Sequence, residues 1–390
     1  MKILFVGSHL LYFKVLLPVM ASLAERGHMI RFQKTRPDCL GFSPRYFGRK
    51  PTRATFVNRA GLRYVADAIE LPDEKKARQA CFRSTWFSPI QRFDAVVGTT
   101  KDLSVLAEFK HRGVPHVWAL GYEHLPVLMS LTEPISGVPV SDTAAAFFLG
   151  SNRFAEVHKL RDIVQGAEIC DHRFVNFAHL DPKPERQGVT ELSARDRVLV
   201  MHPGGYRKVI TNPGAGKKES YERQRAFLEK ICDPILEAGL KPVIKIHPLH
   251  ANYHSAGDVR AILNEMAARD SRYASVDVAR FEYWSHVYRS RLIVTFGSSG
   301  FYELFAAGVS NVVACSFLTE ERANKFEMFD DLFVRTYEDY RAILQPGVFE
   351  NRLGKLSGLT LQAKQAYGSL SSQAPATMIT AAIESKFQSL

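Results

Sequence analysis

Short apolar runs alternate with helix-like segments from the first residue, and this alternation constrains the fold more than any other feature of the chain. The stretch "KILFVG" (2–7) is an apolar run that ends at a glycine, as a buried parallel strand does. A helical pattern follows at 12–28, and a second strand pattern occupies 29–33. Strand, helix and strand at this spacing predict βαβ units, and therefore an α/β fold built on parallel sheets.

The alternation runs through both halves of the chain, which the polar, proline-rich stretch "DPKPERQG" (181–188) separates. Because 390 residues exceed one ordinary core, we expect two domains. The predicted strands are 93–100 and 115–121 before this linker, and 197–205, 241–248, 273–277, 290–297 and 310–317 after it, with helices at 103–113, 221–239, 254–270 and 300–308. We predict a Rossmann-like domain over 1–185, a second over 196–330, and C-terminal helices over 331–390 that cross back to the first domain.

Composition narrows the classes of partner. The net charge of +11 and the pI near 9.4 favour anionic partners, and much of the excess lies within 31–63, which a solvated basic loop would explain equally well. No nucleic-acid-binding motif accompanies this charge, so nucleic acid is not expected as a partner. The five cysteines are scattered without metal-ligand spacing, no run is long enough to span a membrane, and the N-terminus reads as a strand and helix instead of a signal peptide. A cytoplasmic protein is expected.

The loop "GSSG" (297–300) is the most specific candidate for ligand binding. It follows a predicted strand and precedes a predicted helix, where free N–H groups and the helix dipole attract phosphate. Gly297 and Gly300 permit close approach of the backbone, Ser298 and Ser299 add hydroxyl donors, and Glu303 could accept hydrogen bonds from a ribose diol. The alternative is a helix capping box, which needs only one serine and the glutamate.

A histidine and a glycine pair follow two other predicted strands of the second half. Pro248 restricts His247 to an extended conformation, so the imidazole is held at a strand tip, where it can donate to a phosphate oxygen or protonate a leaving group. After the strand at 197 come Gly204, Gly205 and Arg207, which suit a diphosphate, and Lys208, which suits an acidic acceptor. This stretch could equally be a flexible surface loop.

The first half offers candidates for the acceptor side of a reaction. Glu123 and His124 follow a predicted strand and could serve as general base for an acceptor hydroxyl, although a polar surface turn would look the same. His9 and Lys14 follow the first strand and are assigned to acceptor contact. A P-loop is excluded because Thr211 stands where its first glycine belongs, and the first strand has no GxGxxG that would indicate a dinucleotide enzyme.

Taken together, these motifs resemble GT-B glycosyltransferases of bacterial surface-polymer synthesis that use cytidine-nucleotide donors. The resemblance is to CDP-glycerol glycerophosphotransferases, polysialyltransferases and capsule Kdo transferases, in which a His-Pro after a strand precedes, by roughly fifty residues, a Ser-Ser that opens a helix. The matching residues are His247-Pro248 and Ser298-Ser299. "PHVWALGYEH", "FFLGSNRFAEVHKL" and "RVLVMHPGGYRK" resemble further segments of the glycerophosphotransferases, with Arg207 one position late and no glycine after His124.

The resemblance implies a GT-B fold, in which two parallel sheets face each other across a cleft, and a catalytic role for Glu123 or His124 together with His247. It assigns the donor phosphate to His247, Ser298 and Ser299 and places Glu303 close to the nucleotide sugar. The properties of the residues themselves add Pro248, Gly297, Gly300, Gly204, Gly205 and Arg207 to the donor-nucleotide site. The reaction would be inverting and would need no cofactor and no metal. Its partners would be the nucleotide donor and an anionic polymer acceptor, with the protein peripheral at the inner membrane face.

Two alternatives to this function remain at this level. The same fold could carry a UDP-sugar glycosyltransferase or a UDP-sugar 2-epimerase, because the sequence does not identify the nucleotide base. The chain could also be a non-catalytic protein that binds sugar nucleotides or an anionic surface.

Overall fold

The structure is a computed structural model, and the chain forms two compact units. Unit 1 comprises Met1–Pro182 and Ala363–Leu390, and unit 2 comprises Lys183–Gln362. The structure describes residues 1–7, 10–34, 93–99, 105–106, 109–110, 112–120, 146–149, 168–171, 192–202, 217–246, 256–279, 283–296, 304, 309–317, 333–355 and 375–388.

Unit 1 is built on a parallel sheet of six described strands. They are β1 (Lys2–Gly7), β2 (Met29–Lys34), β3 (Ala95–Thr99), β4 (His116–Leu120), β5 (Ala146–Leu149) and β6 (Glu168–Asp171), in the order β2-β1-β3-β4-β5-β6. Every neighbouring pair is parallel, and the apolar residues of β1, β3 and β4 are buried. The buried β-branched runs of the sequence therefore form the centre of this sheet, as the pattern predicts.

The first helix ends at a glycine of the sequence. Helix α1 (Leu10–Glu25) ends at Gly27, which has φ 87°. The N–H of Gly27 donates to the carbonyl of Ala24 and that of His28 to the carbonyl of Leu23, which is the pairing of a glycine-terminated helix. The turn leads directly into β2, so the first βαβ unit follows the predicted boundaries closely.

The last described helix, α6 (Pro375–Gln388), packs on unit 1. Glu384 accepts one hydrogen bond from Nη1 of Arg26 at 2.5 Å and pairs with Nε2 of His28 at 2.8 Å. The ring of Phe387 lies edge-on to Trp118, with centroids 5.3 Å apart. The chain therefore returns to the first unit after residue 362, whereas the preceding segment 333–355 belongs to unit 2.

Unit 2 holds a second parallel sheet of six described strands. They are β7 (Arg197–Met201), β8 (Lys241–Lys245), β9 (Asp277–Ala279), β10 (Leu292–Thr295), β11 (Val312–Cys315) and β12 (Phe333–Val334), in the order β12-β11-β10-β7-β8-β9. The described helices of this unit are α2 (Lys217–Glu237), α3 (Ala256–Arg269), α4 (Tyr283–Arg289), α5 (Tyr337–Ile343) and a helical segment at 346–355. If β7 is numbered 1 and β12 is numbered 6, the order read from β9 to β12 is 3-2-1-4-5-6, which is the strand order of the Rossmann fold.

Helix α2 joins the first two strands of unit 2 and covers the sheet with an apolar face. Its buried residues include Leu228, Ile231 and Ile235, which recur at helical spacing. The hydroxyl of Tyr340 on α5 donates to the carbonyl of Ile231 at 2.9 Å, so α5 is fixed on the same helix. Gly239, with φ 71°, ends α2 in the manner of Gly27.

One predicted strand of unit 2 is wrong. The sequence pattern at 273–277 predicts a strand, but Ser271–Ser275 form a 3₁₀ helix and the strand comes later, as β9. The side chain of Asp270 accepts a hydrogen bond from the N–H of Arg272 and pairs with its guanidinium at 2.6 Å, so a local cap starts the turn. The strand pattern at 273–277 is only five residues long, so it stabilises a strand less than the hydrogen bonds of Asp270 stabilise the turn.

In the described part of the chain, no helix is both long and apolar enough to cross a membrane.

Candidate functional site

The strand order of unit 2 marks the place where a ligand is expected. Strands β7 and β10 are neighbours at the centre of the sheet, and the connections that follow them lead to opposite sides of this pair. In open parallel sheets, ligands bind beyond the carboxyl ends of the strands at this reversal point. The candidate site is therefore the carboxyl edge formed by β7, β8 and β10, called here the switch-point edge.

Three loops that the sequence singles out begin at the switch-point edge. Val294 of β10 lies opposite Val200 of β7, and Met201 of β7 lies opposite Lys245 of β8, so the three strands end within about two residues of each other. The chain leaves β7 toward 203–208, β8 toward 247–248, and β10 toward 297–303. Adjacent strand tips thus give rise to all the stretches assigned to the donor nucleotide.

An aromatic cluster supports one face of this edge. His202 directly follows β7, is 3% exposed, and lies edge-on to Phe227 of α2 with ring centroids 5.3 Å apart. Phe227 in turn contacts Phe296, the residue after β10, at 5.2 Å. The N–H of His202 donates to the carbonyl of Lys245 at 3.0 Å, which extends the sheet by one residue beyond β7. The starting points of the loops after β7 and β10 are therefore packed against a common helix.

The opposite face of the same edge is more polar. Strand alternation places Met201, Lys245 and Thr295 on this face, because Met201 and Lys245 are in register and side chains alternate along each strand. Lys245 is 6% exposed, and Thr295 is fully buried with its hydroxyl donating to the carbonyl of Val313 at 3.2 Å. The hydroxyl of Tyr283, at the start of α4, lies 4.0 Å from Sδ of Met201.

All but one of the predicted site residues lie outside the described residues. The exception is Lys14, of which the structure describes the backbone alone. The residues outside are His9, Glu123, His124, Gly204, Gly205, Arg207, Lys208, His247, Pro248, Gly297, Ser298, Ser299, Gly300 and Glu303, whereas Lys14 belongs to α1. In unit 1, the strand order also reverses between β1 and β3. His9 follows β1, and Glu123 and His124 follow β4, so these stretches start from the carboxyl edge of that sheet.

Sequence reasoning did not assign Lys245 or Tyr283 to the site. The signal for Lys245 is present in "VIKIHP", where one charged residue interrupts an apolar strand directly before His247. Tyr283 has no comparable signal, because its position depends on how the connection after β9 leads into α4. That connection includes residues 280–282, and the hydrophobic periodicity of the sequence does not predict the path of so short a segment.

The two described cysteine thiols of unit 2 are not suited to nucleophilic chemistry. Burial raises the pKa of both Cys232 and Cys315 well above the ordinary range, so both remain protonated thiols at neutral pH. Within the described ranges, His, Cys, Asp and Glu side chains form no group of three or more that could hold a metal ion. The chemistry that the described part of the switch-point edge offers is therefore that of imidazole, ammonium and hydroxyl groups.

Comparison of the whole chain with solved structures identifies proteins with the same architecture. A putative UDP-N-acetylglucosamine 2-epimerase from Listeria monocytogenes matches with a TM-score of 0.55 and 14% identity, covering 100% of this chain and 97% of that one. MnaA of S. aureus, solved with UDP, matches with a TM-score of 0.52 and 13% identity over 100% and 97% of the two chains. A UDP-glucosyltransferase from Polygonum tinctorium matches with a TM-score of 0.50 and 9% identity over 99% and 98%.

These matches, together with the two parallel-sheet units, establish the GT-B fold that the sequence predicts. No protein-family model matches the chain, and a search of curated proteins finds no match either. At 9–14% identity the solved structures define the fold, while the function depends on the residues of the site.

Proposed function

We propose that the protein is a transferase that takes a sugar or polyol phosphate from a nucleotide donor held at the switch-point edge. The observation that carries this proposal is the strand order of unit 2. It gives adjacent starting points, at the reversal point of the sheet, to the three stretches that the sequence independently assigns to a donor nucleotide. Three loops chosen at random from the chain would not be expected to begin at three adjacent strands of one sheet, as these do after β7, β8 and β10.

The reaction proposed is an inverting displacement. Glu123 or His124 takes the proton from an acceptor hydroxyl, whose oxygen forms the new bond to the transferred group. The bond between that group and the nucleotide phosphate breaks, and the nucleotide leaves with the electron pair. His247, Ser298, Ser299 and the N–H groups of the helix that the sequence predicts after them stabilise the charge that develops on the leaving phosphate, which oriented donors can do without a metal.

For the donor we propose a cytidine nucleotide, and for the acceptor an anionic bacterial surface polymer. The donor assignment rests on the His-Pro and Ser-Ser resemblance. The acceptor assignment rests on the basic segment 31–63, which suits an anionic glycan or the anionic inner face of the membrane. Nucleic acid is not proposed as a partner. No recognition motif accompanies the basic segment, and positive charge alone gives only nonspecific binding of nucleic acid.

A UDP-sugar-dependent reaction is the second candidate, and a specific observation favours it. Two of the solved structures reported above are a putative UDP-N-acetylglucosamine 2-epimerase and a complex with UDP, with TM-scores of 0.55 and 0.52. An epimerase needs no acceptor, whereas a transferase releases nucleotide only when an acceptor hydroxyl is present. Incubation with UDP-N-acetylglucosamine alone therefore separates the two, since only an epimerase produces the C-2 epimer.

Calorimetric titration with CMP, CDP, UDP and GDP tests the proposed function. We expect binding of a cytidine nucleotide, and we expect His247→Ala and the double variant Ser298→Ala/Ser299→Ala to lose about 10-fold or more in affinity, as hydrogen bonds to a charged phosphate predict. Ser271→Ala/Ser275→Ala is the matched control, because both serines are exposed on the 3₁₀ helix.

The titration has three other informative outcomes. Binding of UDP without CMP or CDP would move the assignment to the second candidate. Binding of nucleotides without any transfer or epimerisation would indicate a non-catalytic sugar-nucleotide protein. Binding of none of the four nucleotides would refute the proposed function.

A further inference from the structure

We infer that the side chain of Gln224 binds the donor, with Nε2 of its amide donating a hydrogen bond to a phosphate oxygen. This inference deepens the proposed function and rests on it. Gln224 lies in α2, and none of the motifs found in the sequence includes it. It would therefore add a helix residue to a site that so far consists of loops after strands.

The position of Gln224 on α2 is the first argument. Gln224 lies three residues before Phe227 and four before Leu228, so it shares the face of the helix that covers the sheet. Phe227 contacts the rings of His202 and Phe296, the residues that directly follow β7 and β10. Because α2 leads from the carboxyl end of β7 back to the start of β8, its earlier residues lie nearer the carboxyl edge. Gln224 is therefore about 4.5 Å further along the helix than Phe227, beyond the strand ends and over the starting points of the loops.

Burial of the amide without a partner is the second argument. Gln224 is 5% exposed, although glutamine is usually found on the surface. Within the described part of the chain its side chain forms no hydrogen bond, whereas an amide can donate two and accept two. Burying an unpaired amide is costly, so a partner is expected in the space that the side chain faces. A phosphate oxygen bound at the switch-point edge would accept from Nε2.

A buried amide at the opposite end of the sheet supplies the contrast. Asn311 precedes β11 and is 1% exposed. Its Nδ2 donates to the carbonyls of Ser290 and Arg291, so the chain itself provides its partners. It lies at the amino end, where ligands of parallel sheets do not bind. The amide at the end without a predicted ligand is thus paired within the protein, and the amide near the predicted ligand is not paired with any described residue.

The experiment compares Gln224→Met with Gln345→Met in the full chain. Methionine has about the length of glutamine and no strong hydrogen-bonding group. Gln345 follows α5 and is exposed, so it gives the same chemical change at the surface. Titration with CDP and UDP measures nucleotide binding, and ligand-observed NMR with cytidine and uridine measures nucleoside binding. We expect Gln224→Met to weaken nucleotide binding about 10-fold and to leave nucleoside binding unchanged, whereas Gln345→Met should change neither by more than about 2-fold.

The stability of the ligand-free protein separates a ligand contact from a hydrogen bond within the chain. We expect the melting temperature of ligand-free Gln224→Met to be at least that of the wild type, because the variant removes a buried amide that has no partner. Saturating CDP or UDP should raise the melting temperature less in Gln224→Met than in the wild type, since the variant binds the nucleotide more weakly.

Each outcome bears on a different claim. Equal binding of nucleotide by the wild type and Gln224→Met overturns the role of Gln224 and leaves the proposed function intact. Failure of the wild type to bind any nucleotide overturns both. Equal losses for nucleotide and nucleoside would overturn the phosphate contact. A lower melting temperature of ligand-free Gln224→Met, or failure of this variant to fold, would show that the amide is bonded within the chain and would also overturn the inference.

Discussion

Asn311 provides a test of how the centre of unit 2 is held together. This residue precedes β11 and is 1% exposed. Its Nδ2 donates to the carbonyl of Ser290 at 2.9 Å and to that of Arg291 at 3.0 Å, so one amide group joins the residues before β10 to those before β11. Replacing it by alanine removes both hydrogen bonds inside the protein.

The expected loss of stability in Asn311→Ala depends on which hydrogen bonds the carbonyls of Ser290 and Arg291 still accept. The carbonyl of Ser290 also accepts from Nη1 of Arg195 at 3.2 Å, so it remains hydrogen-bonded in Asn311→Ala. The carbonyl of Arg291 loses a buried donor, which costs about 1–3 kcal/mol. We therefore expect the free energy of unfolding of unit 2 to fall by about 2 kcal/mol.

Native-state hydrogen exchange measures this change separately for unit 2. Peptides that cover β10 and β11 should exchange faster in Asn311→Ala, while nucleotide affinity should not change, because Asn311 lies at the amino end of the sheet. Asn264→Ala is the matched control, since Asn264 is exposed on α3 and alanine suits a helix better. A loss below about 0.5 kcal/mol, or a loss of nucleotide affinity at unchanged stability, would refute the reasoning.

Three further predictions concern residues of both units. In Gly98→Ala the new Cβ would lie 2.8 Å from Cγ2 of Val6, so overpacking should destabilise unit 1 by about 1–3 kcal/mol, measured by hydrogen exchange of β3 and β4 peptides; an unchanged exchange rate would contradict the packing. Hydrogen bonds from its histidine and arginine partners lower the pKa of Glu384 below its ordinary value of 4.5, so their contribution is present above that pH and is lost as the pH falls through the lowered pKa. Glu384→Gln should therefore destabilise α6 at pH 7, by up to about 1 kcal/mol, and hardly at all at strongly acidic pH, as exchange in α6 peptides against pH will show. Iodoacetamide should modify Cys232 and Cys315 only after unfolding, because burial keeps both thiols protonated; mass mapping of either one as modified in the native protein would contradict this.

Sequence patterns predicted the strands at the centre of both sheets because those strands are buried on both faces. Runs such as 198–200 and 292–294 contain little besides β-branched and aliphatic residues, and they occur where they were expected. The prediction failed at 273–277, where one polar cap decided the local conformation. Patterns of periodicity detect long apolar elements and overlook short segments whose conformation depends on a single side-chain hydrogen bond.

The candidate site was predicted as separate loops, and the structure adds the order of the strands that carry them. Strand order depends on pairings between residues far apart in the chain, such as Val200 with Val294, which no local pattern encodes. The sequence could therefore indicate that several loops suit phosphate, without indicating that three of them start from adjacent strands. The position of Lys245 at this edge also depends on the strand order, because the sequence alone does not show which neighbours a charged residue of an apolar strand will have.

If the proposed function holds, the polar residues at the two ends of the unit 2 sheet serve different purposes. At the amino end, Asn311 bonds to protein carbonyls, and Lys241 is paired with Asp196. These groups find their partners within the chain, so their loss should appear as instability. At the carboxyl end begin the loops that are proposed to bind the donor, and loss of His247 or of Ser298 and Ser299 there should appear as weaker binding of phosphate. Stability and affinity should therefore respond to different variants of the same sheet, and a variant at the amino end that abolished binding without unfolding would show that the ligand is not held at the carboxyl edge.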